Sequence, residues 1–371
     1  MNNRQPNRSI GMFFIVAVVL SLTAWMPWQQ PTPTPEEPYV RVLDIDWSAN
    51  GRILAVATHV GIVVYDAENT AEPVYLLSPG LKPTGNEGSK IAPNLMEMVA
   101  VNDKGSLVAG LAAWDLRVYL WDLTTGERGA STSFKGIGLN AMSFVQGEDR
   151  VLFGTWEGDI YTWDVSRRSV VPDKVVDFHI DEQYVIRFSP DGKTIISSSG
   201  GPENSVDVWA VSSKTAVLKR LHRFAGRAYF VDSAYFDVAN PRNVATFSLR
   251  DDEGIFVWDV ETGLLIGQIV TRVWGFDFSQ GRIAGIKFGG DRDRIDLRTI
   301  LIWTVSDMES AGILDESDAT KQLVGSADVW QVALDPMKDR VATVDQQFNL
   351  VLWDITTGKA ESVIPLGSAS E

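Results

Sequence analysis

The chain reads as all-β: a seven-bladed β-propeller of four-stranded blades, preceded by an N-terminal hydrophobic helix. Three observations carry that reading. Six of the thirteen tryptophans end nearly identical short strands: Val118-Tyr-Leu-Trp121-Asp122, Ile160-Tyr-Thr-Trp163-Asp164, Val206-Asp-Val-Trp209, Ile255-Phe-Val-Trp258-Asp259, Ile300-Leu-Ile-Trp303 and Leu350-Val-Leu-Trp353-Asp354. A seventh copy, Ile62-Val-Val-Tyr65-Asp66, carries tyrosine, and successive copies lie 56, 42, 46, 49, 45 and 50 residues apart. A period of roughly 40–50 residues marks a repeat architecture. Each repeat also divides into four short alternating runs with turn residues between them.

The fourth repeat shows the unit. Val185–Phe188 is strand a, Ser189-Pro-Asp-Gly192 a turn with glycine where φ is positive, Thr194–Ser197 strand b, Ser205–Trp209 strand c and Ala216–Lys219 the outer strand d. The first repeat runs Leu43–Trp47, Ser48–Gly51, Ile53–Val56, strand c to Asp66 and Pro73–Leu77. Such units bury a face only by stacking on neighbours, and strand twist closes the stack into a ring. The strand-c indoles fill the space between blades, and Trp47 joins them from strand a. Lys359–Leu366 reads as the seventh blade's own strand d, so each blade is contiguous and the first and seventh meet by face packing.

Composition excludes several classes. A net charge of −15 argues against nucleic acid, whose phosphates need a basic surface. With no cysteine, disulfides, thiolate metal sites, cysteine nucleophiles and lipoprotein anchors are all excluded. Residues 1–9 carry Arg4 and Arg8, residues 10–26 form an uncharged apolar run of 17, and no acid appears before Glu36. As a helix the run spans about 26 Å, just under a hydrocarbon core. The charge bias keeps the first nine residues cytoplasmic and sends the rest across, with Trp25 and Trp28 at the far edge. The expectation is a single-pass signal anchor with the propeller extracytoplasmic. The alternative is a secreted protein after signal cleavage, for which Leu22-Thr-Ala24 is a poor cutting site. Residues 27–38 form a proline-rich spacer, residues 39–366 the propeller and residues 367–371 a tail.

These motifs resemble the WD40-repeat family of seven-bladed propellers over about residues 40–366. The resemblance rests on the Trp-Asp pairs at 121, 163, 258 and 353, on Thr125-Gly126, Thr262-Gly263 and Thr357-Gly358, and on Phe188-Ser-Pro-Asp-Gly192. The family's glycine-histidine signature is missing. The b–c turn aspartate survives at Asp115 and Asp252, with Glu157 and Glu203 as partial substitutes and His59, Leu297 and Gln347 elsewhere. The family's hydrogen-bonded polar tetrad is therefore expected to be absent.

Subtracting the ring and membrane-edge tryptophans leaves Trp114, Trp156, Trp274 and Trp330. Trp274 and Trp330 start strand a; Trp114 and Trp156 precede the b–c turn acid. The resemblance implies that both positions lie on the top face around the central channel, where partners bind. Equivalent strand-a positions carry Leu43, Glu97, Asn140, Tyr184 and Asp232. The expected site takes Trp114, Trp156, Tyr184, Trp274 and Trp330 as anchors, with Glu97 and Asp232 setting polarity. It would hold a protein or peptide, by a monomer. The competing readings are indoles packed under top-face loops, above all Ser78–Leu95, and an extracellular carbohydrate binder or hydrolase using the channel mouth.

Nothing in the sequence carries catalysis. His59, His179 and His222 fall in different repeats without ligand spacing, and no nucleophile elbow, zinc-protease helix or phosphate loop is present, so no metal, cofactor or catalytic residue is assigned. Asp291-Arg-Asp-Arg-Ile-Asp296 reads as a solvated turn or a specificity loop. Lys214, Lys219, Arg220, His222, Arg223 and Arg227 read as charge on an outer strand, where it blocks edge pairing.

Overall fold

The computed structural model describes residues 42–366 except 82–93, 135–136, 168–172, 177–182, 200–205, 212–217, 225–230, 232, 248–253 and 292–293. The N-terminal hydrophobic run, the spacer and the tail lie outside the described residues. Among those described, no helix is long and apolar enough to cross a membrane.

Seven sheets each contain four antiparallel strands in the order a-b-c-d, taken in sequence from one blade, and only the fifth sheet adds a strand from another blade. The a strands are Val42–Trp47, Met96–Val101, Leu139–Phe144, Gln183–Phe188, Ser233–Phe236, Val273–Ser279 and Val329–Leu334, and all seven line one central channel. The seventh blade ends in its own strand d, Lys359–Pro365, as its sequence predicts.

The apolar core is divided into seven clusters, each shared by two consecutive blades. This is the stacking logic of a repeat: no blade buries its faces alone. Tyr65, Trp121, Trp163, Trp258, Trp303 and Trp353 are buried at the ends of their c strands, and Trp209 is half-buried. The cluster between blades seven and one is built like the others, and Trp47 Nε1 donates to the Ala333 carbonyl across it at 3.3 Å.

The strand-c indole donates to a strand-b hydroxyl in three blades: Trp209 to Ser197, Trp258 to Thr246 and Trp353 to Thr343, each at 2.9 Å. A tryptophan and a β-branched or small hydroxyl on paired strands suffice for this bond.

Three features depart from the sequence reading. Strand d of blade four runs on past Lys219, as Leu218–Phe224, with Phe224 stacked on Trp258 at 4.5 Å; Ala216 and Val217 lie outside the described residues. Lys219, Arg220, His222 and Arg223 of the basic cluster lie on that outermost strand, where Arg223 makes hydrogen bonds of 2.9 and 3.0 Å to Asp207, while Lys214 and Arg227 lie outside the described residues. The Asp291–Asp296 stretch is part of a small hairpin, Gly289–Asp291 with Arg294–Asp296. Finally, blade six carries an insertion between its c and d strands. Helix α1, Val305–Ala311, is capped by the Thr304 hydroxyl, and Ile313–Asp315 then pairs parallel with strand d of blade five, Leu265–Val270, as a fifth strand. The Trp303 indole donates to Asp315 O at 2.8 Å and pins this strap.

Candidate functional site: an aromatic rim over an acidic channel

Antiparallel order alone puts the candidate residues on one face. Strand a starts where the b–c turns lie, so Trp274 and Trp330 share a face with Trp114 and Trp156. What exposes the first two is a β-bulge. The a–b pairing skips one residue of strand a in six blades: Leu43, Glu97, Asn140, Tyr184, Trp274 and Trp330. Those are the positions that the sequence comparison aligns. The seventh, Asp232, lies outside the described residues, as does the Tyr184 side chain.

The bulge reverses the alternation. By period two, Trp274 would share a face with Phe276 and Phe278, and Trp330 with Val332 and Leu334, all of which are buried. The extra residue removes each indole from that face, leaving Trp274 42% and Trp330 39% exposed. Bulges re-aim side chains in this way at sheet rims. Each indole is backed by a ring of its own blade's b–c connection: Trp274 stacks on Phe288 at 6.4 Å and Trp330 meets Phe348 edge-on at 5.7 Å. Arg272 lies 5.0 Å over the Phe288 ring.

Trp156 is 39% exposed and rests on Gly138, where a Cβ would come within 2.5 Å of its Cδ1. Trp114 is half-buried. The rim thus groups its aromatics in two neighbouring-blade pairs, on blades two and three and on blades six and seven. Glu97 is exposed, yet its carboxyl sits at the channel mouth, where partial desolvation raises its pKa.

Below the rim lies a channel of about 470 Å³. Three residues past the bulge position, strand a carries Asp46 in blade one, Arg187 in blade four, Tyr235 in blade five and Asp277 in blade six. Asp44 stands one alternation above Asp46. Each carboxylate accepts a main-chain amide of the next blade: Asp44 from Val99 at 2.9 Å, Asp46 from Val101 at 2.7 Å and Asp277 from Leu334 at 2.7 Å. Removal from bulk solvent outweighs these bonds. It pushes Asp44 and Asp277 up to about 6, and Asp46, further raised by the other two, to about 8. Arg187 lies 5.7 Å over the Tyr235 ring and lowers the Asp44 pKa in part.

These channel groups were not singled out from sequence. The available signal was Leu43-Asp-Ile-Asp-Trp47, in which the residues alternating with the core-facing ones are both acidic. Such alternation usually means a wet sheet face; here the wet face is a channel wall.

The whole is a seven-bladed β-propeller with an aromatic rim and a carboxylate-lined channel. No family model matches the chain, and no curated protein does. Among solved structures it is similar to the crystal structure of the computationally designed Ika8 protein (crystal packing No.1 in P63). The two share 17% identity and a TM-score of 0.57, over 88% of this chain and 88% of that one. At that identity the likeness concerns the fold alone.

Proposed function

We propose that this chain is a non-enzymatic propeller of the WD40 type that presents its top face to a protein or peptide, held outside the cytoplasmic membrane by residues 10–26. The observation that carries the reading is the pair of bulge-displaced indoles, Trp274 and Trp330, exposed on adjacent blades and each backed by a second ring. Large exposed aromatics are costly unless they bind, and they dominate interface energetics. Trp156 and Glu97 extend the same rim. The non-enzymatic half of the reading is supported by the duty the channel carboxylates already have, since each ties one blade to the next. The topology is supported by Arg4 and Arg8 before the apolar run and by the absence of acids before Glu36.

The test is proximity labelling in membranes with the wild type and with a Trp274→Ala/Trp330→Ala double variant. Loss of the wild-type labelling pattern at a nearly unchanged Tm supports the rim as the interface. Unchanged labelling together with a sharply lowered Tm assigns the indoles to packing and overturns it.

A further inference from the structure

We propose that the outer edge of blade four is a docking site for an extended segment of a partner protein, one in which apolar residues alternate with acidic ones, taken up as a fifth strand. The molecule supplies the precedent. Blade five already carries a fifth strand, the strap Ile313–Asp315. The sheet of blade four stops at strand d, Leu218–Phe224, and among the described residues no other strand pairs with that edge. An edge strand presents alternate main-chain N–H and C=O groups outward, and an extended segment can satisfy them.

The unequal sheets leave a ledge. Residues directly paired across strands share a face, so Leu265 follows Trp258, Gln268 follows Phe256 and Ile313 follows Gln268. Phe256 and Trp258 face blade four, in the core that the two blades share. Leu265, Val270 and Ile313 therefore face the same way, yet they are 46%, 43% and 63% exposed, because among the described residues blade four has no strand far enough out to cover them. Strand d of blade four reaches only strand c and the c–d turn of blade five: Phe224 stacks on Trp258, and His222 Nε2 donates to Glu261 O at 2.6 Å. The next strand position, about 4.8 Å further out, lies over the ledge.

Charge selects the occupant. Strand d, Leu-Lys-Arg-Leu-His-Arg-Phe, holds no acid in a chain of net charge −15. Arg220 pairs with Trp209 and Arg223 with Asp207 of strand c, so both face away from the ledge, toward blade three. Asp207 lies 3.8 Å from Arg220 and 2.9 Å from Arg223, and both arginine side chains remain partly exposed. An added strand sets one row of side chains on the apolar ledge and the other row beside these guanidiniums, where carboxylates are favoured. The same cations repel a second basic edge, so the partner is chosen by the sign of its charge.

Fluorescence anisotropy with the purified full chain and a capped, labelled heptapeptide alternating glutamate with isoleucine tests this. The acidic peptide is expected to bind at least tenfold more tightly than its lysine–isoleucine counterpart. It should exceed by as much the same peptide N-methylated at alternate residues, which cannot complete a ladder. Arg220→Glu and Ile313→Asp alter exposed side chains, so they retain the fold, as Tm reports, and each is expected to weaken binding at least tenfold. The bound peptide is expected to slow amide exchange within Leu218–Phe224. The Trp274→Ala/Trp330→Ala variant is expected to bind as the wild type does, which separates this edge from the rim. Each of four results would overturn the proposal: no saturable binding, equal affinity for the three peptides, folded Arg220→Glu and Ile313→Asp variants that bind like the wild type, or exchange protection confined to other strands. A dimer that forms without peptide and dissociates with it would assign the edge to a second copy and overturn the partner.

Discussion

Arg340 holds Asp335 by two hydrogen bonds on one oxygen, from Nε at 2.9 Å and Nη2 at 2.6 Å, and both residues are buried. The third nitrogen, Nη1, donates to Ala67 O in blade one at 2.7 Å, and the guanidinium lies 5.6 Å over the Trp47 ring. The other oxygen of Asp335 receives the amides of Met337 and Lys338. One ion pair thus joins the a–b turn of blade seven to the end of strand c in blade one, where the ring closes. Thr70 to Ser362, Gln331 to Leu43 O and the Lys338–Glu68 pair reinforce the seam.

Removing one partner of a buried pair strands the other. Arg340→Met is expected to cost about 3–5 kcal/mol in urea unfolding. Adding Asp335→Asn, which keeps an oxygen for the turn, should recover part of that loss, so the double-mutant cycle reads a coupling well away from zero.

The channel carboxyls set an unusual pH dependence. Their folded pKa values, about 6 for Asp44 and Asp277 and about 8 for Asp46, lie above the unfolded value of about 4. The folded state therefore binds protons more tightly than the unfolded chain. This contribution is complete below the unfolded pKa and is lost as pH rises through 6 to 8. Channel water screens part of it, so stability should be about 2 kcal/mol greater at pH 5 than at pH 8.5. Asp122, Asp191, Asp259 and Asp354, each lowered mainly by hydrogen bonds that outweigh burial, act oppositely and lose their contribution below about pH 4. Denaturant titrations from pH 4 to 9 check the maximum. Asp46→Asn should raise stability at pH 8.5 and flatten the profile.

Rim and ring tryptophans should separate cleanly in mutagenesis. Trp274→Ala or Trp330→Ala removes one aromatic pair from a partly exposed site, at a cost of about 1 kcal/mol. Trp121→Ala or Trp163→Ala opens a cavity between blades and should cost about 3–5 kcal/mol. Calorimetry of the four variants distinguishes the two classes.

Lifting the strap should uncover an edge. Leu314 is buried between blades five and six, and Leu314→Asp is expected to detach Ile313–Asp315 and free the Trp303 indole. Red-shifted tryptophan emission would report the release. Light scattering would report association through the exposed strand d of blade five, which carries Leu265 and Val270 on its surface.

The ring was legible in the sequence because its core indoles recur at one place in the unit, and a large side chain there has one thing to do. Trp274 and Trp330 were separable from them by position alone. The bulge that turns them outward was not visible: it is a fact of pairing, and period-two reading would have buried both. The channel was hidden for a related reason, since Asp44 and Asp46 look like any polar face until seven strands surround them. The strap escaped because Val305–Ala311 is too short to show helical periodicity and Ile313-Leu-Asp315 too short to announce a strand. Blade four's outer strand runs past Lys219 to Phe224, whose stacking on Trp258 of the next blade is a tertiary contact that no local pattern announces.

The parallel strap also alters the order in which the molecule can be assembled. In a simple propeller each blade is complete when its own strand d has left the ribosome. Blade five is not: its outer edge stays open until Ile313–Asp315 arrives from the following blade, after strand c of blade six has been made. Blades five and six therefore form one synthetic unit, and pulled from the C-terminus they should give way as a single double-sized step.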